Sequence, residues 1–115
     1  MSRDYRLFLE DMQLSCEKIS RYVEGLSFAQ FVSDEKSYDA VLRNLQVIGD
    51  AVKQIPEEVR QKYSAVEWRK IGGFRDFVVH EYFGIDQDIL WDVIKNQVPT
   101  LLEQIKQIDS SEGAE

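Results

Sequence analysis

Apolar side chains recur at every third or fourth position through most of this chain, a spacing that confines it to helices packed side by side. Tyr5, Phe8, Met12, Cys16, Ile19 and Val23 form one stripe, and Val41, Leu45, Ile48, Val52 and Ile55 a second. Leu90, Ile94, Val98, Leu101, Ile105 and Ile108 form the last. Between them, Trp68 and Ile71 lead to Gly72-Gly73, after which Phe74, Phe77 and Val78 resume the pattern to about Phe83. The punctuation agrees. Gly25 and Gly84 are predicted helix stops, Ser27 caps a short turn carrying Phe28 and Phe31, Ser33 or Asp34 opens the second long helix, and Asp86 opens the last. Pro56 ends the second helix and starts a short one reaching Tyr63. Ser64 followed by Glu67 has the form of a capping box for a helix from about Val66. Pro99 is predicted to kink or split the last stripe. No period-two alternation and no internal repeat stands out. The expectation is an all-α, up-and-down bundle of four long helices plus short ones. It forms a single domain over residues 1–108, with the polar residues 109–115 as a disordered tail.

Composition narrows the function. The chain has 115 residues, a formal net charge of −7 and a pI of about 4.7, which argues against a protein that coats nucleic acid or an anionic membrane. The charge is uneven. Residues 60–82 carry five positive and three negative side chains, and the remainder nine and eighteen, so this stretch is the least hostile to a phosphate. The single cysteine, Cys16, excludes an internal disulfide, fits a reducing compartment and sits in a core stripe as a buried thiol. One histidine and one cysteine make no zinc constellation, and neither a metal nor a cofactor is expected. No signal peptide and no apolar run of membrane-spanning length is seen, so the expected location is the cytoplasm.

That one histidine lies in "GGFRDFVVHEYFG", residues 72–84. On a helix turning about 100° per residue, with Arg75 at zero, Asp76 falls near 100°, His80 near 140° and Tyr82 near −20°. Asp76 and His80 share one face, and Arg75 and Tyr82 another. The four do not converge on a straight helix, so either the helix distorts at its glycines or a second copy completes a site. The residue types suit phosphoryl chemistry. An imidazole moves protons near neutrality, a guanidinium stabilises charge on phosphoryl oxygens, a carboxylate one turn before the imidazole can orient it, and a tyrosine can hydrogen-bond a phosphate or stack on a base. Such a set could cleave RNA by activating a 2′-hydroxyl. Each residue also has a plainer explanation as a solvated or structural side chain.

"RDFVVHEY" fits the pattern Arg, four residues, His, any residue, Tyr, and so resembles the signature of HEPN domains and, with the tyrosine, of HepT-like toxins. "AVLRNLQVIGDAVKQIP" (residues 40–56) is similar to that family's second long helix, "WRKIGGFRDFVVHEYFGID" (68–86) to its motif helix, and "VPTLLEQI" (98–105) to its closing segment. Gly72-Gly73 and Phe74 depart from the usual residues there without touching the matched chemistry. The resemblance implies a homodimer with two motifs facing each other across one composite cleft. It implies metal-independent endoribonuclease activity of a type VII toxin–antitoxin system, with Arg75 and His80 as the catalytic pair and Asp76 in support. The implied partner is a minimal nucleotidyltransferase antitoxin that transfers AMP to Tyr82, putting negative charge and bulk beside Arg75. Arg43 and Asn44 match the second helix and are expected to line or support the cleft. The alternative is a non-catalytic HEPN module that docks a nucleotidyltransferase.

Overall fold

The computed structural model describes residues 4–113. Its helices are α1 (Tyr5–Val23), α2 (Phe28–Ser33), α3 (Glu35–Val52), α4 (Glu57–Lys62), α5 (Trp68–Glu81), α6 (Gln87–Asp92) and α7 (Val98–Gly113). A 3₁₀ turn (Tyr82–Gly84) follows α5, and a π-helical stretch (Val93–Gln97) joins α6 to α7. No strand occurs among the described residues. The expected all-α bundle is therefore present. Helix α1 packs on α3 and α7, and α3 carries α5.

The stripes become the core. Met12, Cys16 and Ile19 of α1, Val41, Leu45 and Ile48 of α3, and Val98 and Ile105 of α7 are wholly buried. Each large aliphatic side chain so buried contributes about 1.5–3 kcal/mol. Burial also pushes the Cys16 thiol up to about 12, so it is an inert core residue. At one end of the bundle, the Phe31 ring lies 5.4 Å from Tyr38 and 5.3 Å from Trp91, fastening α2 to α3 and α6.

Several local signals resolve as expected. Gly25 is left-handed (φ 77°) after α1. Ser27 and Gln30 close a capping box, and the Asp86 carboxylate accepts from the backbone N–H groups of Asp88 and Ile89. Others differ. Helix α5 starts at Trp68, not Val66, and the Ser64–Glu67 pair makes no capping box. The Trp68 indole N–H instead donates to the carbonyls of Arg60 and Tyr63, both at 3.1 Å, and this tether sets where the helix begins. The helix runs unbroken through Gly72-Gly73, because neither residue takes a left-handed conformation. At Pro99 the last stripe is interrupted as expected, by the π-helical segment that separates α6 from α7. The widened π turn before the proline lets the Val98 N–H bond to the Val93 carbonyl, five residues back, which absorbs the missing donor and the crowded ring.

The tail from Asp109 also departs from expectation, since α7 stays helical to Gly113; residues 114–115 lie outside the described residues. The cause is Glu112, whose side chain is only 8% exposed. Its carboxylate accepts from the Tyr5 hydroxyl at 2.6 Å, the Tyr63 hydroxyl at 2.9 Å and the Lys62 ammonium at 3.0 Å. One carboxylate thus ties the end of α7 to the start of α1 and the end of α4. The Tyr5 hydroxyl, then Lys62 and Tyr63, hold Glu112 down at about 2, and the same contact raises Tyr5 to about 12. A carboxyl depressed in the folded state stabilises fully above its ordinary value of 4.5 and loses that effect as pH falls towards about 2. Glu112→Gln is therefore expected to lower the thermal midpoint at neutral pH, with the gap from wild type narrowing between pH 4.5 and 2. Melting curves across that window check it, and a gap constant with pH contradicts it.

Candidate active site on the α3–α5 face

The motif residues are positioned by one close helix crossing. Residue 49 of α3 is glycine, and a Cβ there would stand 2.5 Å from the Arg75 backbone nitrogen, 2.7 Å from its Cβ and 3.1 Å from its Cα. The two backbones therefore touch where Arg75 leaves α5, a contact only glycine permits. One turn along, Gly72 faces Val52, which fixes α3 and α5 as antiparallel neighbours.

The crossing places Arg75 against the exposed edge of α3. Its guanidinium, about one-third exposed, lies 3.5 Å from the Asp50 carboxylate and 3.4 Å from that of Asp76. Asp76 in turn lies 3.8 Å from the Lys53 ammonium. Exposed pairs of this kind contribute about 0–1 kcal/mol each, so Arg75 can exchange carboxylate for phosphate at little cost. The charges about the motif are balanced: Arg43, Lys53 and Arg75 against Asp39, Asp50 and Asp76. The local excess of positive charge counted along residues 60–82 does not become a positive cleft, because α3 brings its own carboxylates.

His80 is exposed near the end of α5 and has no hydrogen-bond partner among the described residues. Asp76 is engaged by Arg75 and Lys53 and does not orient the imidazole within one chain. Tyr82, on the 3₁₀ turn, is 47% exposed, and its ring meets Phe83 edge-on at 5.1 Å between centroids. Phe83 itself is fully exposed. Arg43 is exposed and lines a groove that Tyr82 also lines. Asn44 faces inward: it is buried, and its amide donates to the Ala40 carbonyl at 2.8 Å within its own helix. Of the two α3 positions singled out from the sequence, one reaches the groove and the other is a core contact. Gly49, Asp50 and Lys53 escaped sequence reading. A glycine in the middle of a strong helix stripe was the available signal, because it costs stability unless something approaches closely.

An all-α bundle that carries an arginine and a histidine on one helix and a tyrosine on the turn that follows it is of the HEPN type. The chain belongs to the "Ribonuclease HepT-like" family, whose model matches residues 12–108. A protein of Caldanaerobacter subterraneus subsp. tengcongensis whose name proposes an RNase is 43% identical over 103 residues, covering 90% of this chain and 92% of that one. One of Methanocaldococcus jannaschii, likewise named, is 39% identical over 106 residues, 92% of this chain and 88% of its own. A Thermococcus cleftensis protein whose name proposes ribonuclease HepT is 35% identical, with 88% and 92% covered. No solved structure matches the chain at a significant level. No helix among the described residues is long and apolar enough to cross a membrane.

The crossing is open to test. Gly49→Ala puts a methyl group into the Arg75 backbone and is expected to destabilise the fold by about 1–3 kcal/mol. Asp50→Asn, which removes an exposed ion pair, is expected to cost less than about 1 kcal/mol. Urea unfolding of both variants checks the order, and equal losses would show that the close contact does not set the geometry.

Proposed function

We propose that this chain is the endoribonuclease toxin of a type VII toxin–antitoxin pair, acting in the cytoplasm without a metal at a site composed from two copies. The observation that carries the reading is the separation of the two catalytic candidates. Arg75 is drawn to α3 by Asp50, whereas His80 stands partnerless about 140° around the same helix. A second motif helix facing the first would bring the histidine of one copy to the arginine of the other. The fully exposed Phe83 and the half-exposed Ile89 beside the motif are apolar surface that such a partner would cover.

In this site Arg75 exchanges its carboxylates for the phosphoryl oxygens of RNA. One His80 imidazole takes the proton of the 2′-hydroxyl. The O2′–P bond forms as the P–O5′ bond breaks, and the departing 5′-oxygen takes a proton from the protonated imidazole of the second copy. Guanidinium and imidazole together supply the charge and the proton transfer the step needs. Asp76 supports Arg75 through its contact at 3.4 Å. Neutralisation follows from Tyr82. Its hydroxyl oxygen attacks the α-phosphorus of ATP on a nucleotidyltransferase partner, pyrophosphate leaves, and the tyrosine carries AMP. The added phosphate then competes for Arg75 with a charge that RNA cannot displace.

Expression without a partner tests the reading. Wild type is expected to arrest bacterial growth and fragment RNA, while His80→Ala and Arg75→Ala lose at least about a hundredfold of the cleavage rate, the scale of one acid–base or charge-stabilising group. Adding excess His80→Ala protein to wild type should suppress cleavage beyond simple dilution, since a mixed dimer keeps only one of the two imidazoles that the step uses. Intact RNA with purified wild type would point instead to a module that docks a nucleotidyltransferase.

A further inference from the structure

We propose that the groove between α3 and α5 beside Tyr82 is a nucleobase subsite that selects guanine in the single-stranded RNA next to the cleaved phosphate, an inference that rests on the ribonuclease reading above. The groove holds about 280 Å³. Leu42, Val78 and Val79 are its apolar lining, and Tyr82 lines it beside them. Asp39, Arg43 and Gln46 form its polar rim, spaced four and three residues apart along one ridge of α3.

Each member of that rim is unengaged. Asp39 and Arg43 stand one turn apart, yet neither they nor Gln46 has a hydrogen-bond or ion-pair partner among the described residues. A carboxylate, a guanidinium and an amide thus face an apolar slot with their hydrogen-bonding capacity free. The slot adjoins the proposed chemistry. Val78, Val79 and Tyr82 follow Arg75 by three, four and seven residues on the same helix face. Gln46 precedes Gly49, the residue under Arg75, by three. The groove therefore begins about one helical turn, roughly 5 Å, from the arginine that would hold the phosphate, a step that the sugar of one nucleotide can span.

The rim chemistry distinguishes the bases. A carboxylate only accepts hydrogen bonds and has two oxygens to satisfy. Guanine is the one base whose Watson–Crick edge offers two adjacent donors, N1–H and the N2 amino group, and beside them O6 is an acceptor for Arg43 or the Gln46 amide. Uracil offers one donor, and adenine and cytosine one amino group each. The flat base lies on Leu42 and Val79 with the Tyr82 ring against it, as unstacked bases do in single-strand recognition. The same placement bears on neutralisation, because a purine nucleotide attached to Tyr82 would lie across the slot that the substrate base requires.

Two measurements test this. In the first, His80→Ala protein is titrated with guanosine, adenosine, cytidine and uridine monophosphates while the Gln46 side-chain amide and the Leu42 and Val79 methyl groups are followed by NMR. Guanosine monophosphate is expected to shift these signals and to bind at least about tenfold more tightly than the others, the scale of one bidentate base contact. Asp39→Asn, an isosteric change at an exposed position, should abolish the difference, and Arg43→Gln should weaken it. In the second, cleavage ends produced by wild type on a randomised single-stranded RNA are sequenced. Ends beside guanosine are expected in at least about tenfold excess, and Asp39→Asn should bring that ratio close to one. Equal binding of all four nucleotides, unmoved groove signals, or a guanine preference that survives Asp39→Asn would overturn the subsite. Guanine selection in the titration without RNA cleavage by wild type would uphold the subsite and overturn the ribonuclease reading.

Discussion

The backbone contact between Gly49 and Arg75 is the constraint on which the rest of this face depends. Most helix pairs are held apart by side chains, and small errors in their spacing are absorbed by rotamer changes. Here a Cβ on residue 49 would lie 2.5 Å from a backbone nitrogen, which has nowhere to turn. The contact therefore fixes both distance and register. With it set, Asp50 falls beside the Arg75 guanidinium, Lys53 beside Asp76, and the ridge of Asp39, Arg43 and Gln46 beside Val78, Val79 and Tyr82. At the other end of α5, the Trp68 indole donates to two carbonyls at the end of α4, so the motif helix is anchored before it reaches the crossing.

The electrostatics explain how an acidic chain can still carry phosphate chemistry. An open field of positive charge would bind RNA wherever the strand touched it, with an affinity set by salt. This face instead holds two of its three cations in exposed pairs, Arg75 with Asp50 and Asp76, and Lys53 with Asp76, and leaves Arg43 at the groove. Such pairs are weak enough to open for a phosphate and present enough to keep the guanidinium oriented beforehand. Recognition then rests on a few aimed groups rather than on net charge, which fits a formal charge of −7.

What the sequence revealed and what it withheld divide along a physical line. The stripes of α1, α3 and α7 were legible because an amphipathic period is local, and the burial of Met12, Ile48 and Ile105 follows from it directly. The Ser27 and Asp86 caps were legible for the same reason. Glu112 was not. It sits in a polar run that reads as tail, and its burial depends on Tyr5, 107 residues away. Ser64 and Glu67 have a cap's spacing, yet a tryptophan tether decided where α5 begins. Asn44 and Arg43 are adjacent letters about 100° apart on α3, and only the packing of the bundle tells which faces the groove. Gly49 passed as an ordinary member of a helix because its reason lies in another helix.

Helix α5 must satisfy two demands in 14 residues, and its period is how it does so. Trp68, Ile71, Phe74 and Val78 are buried and hold it to the bundle, while Asp76, Val79 and His80 are exposed. A separation of five residues between Arg75 and His80 turns them to different sides of the helix. A spacing of four would have set them nearly in line, free to meet within one chain. With five, the arginine keeps its contact with α3 and the histidine is left over on the outside, together with a fully exposed phenylalanine three residues on. That combination is unfavourable for a monomer working alone and natural for a helix whose outer face is completed by another copy of itself, which is why the proposed site is composite rather than intramolecular.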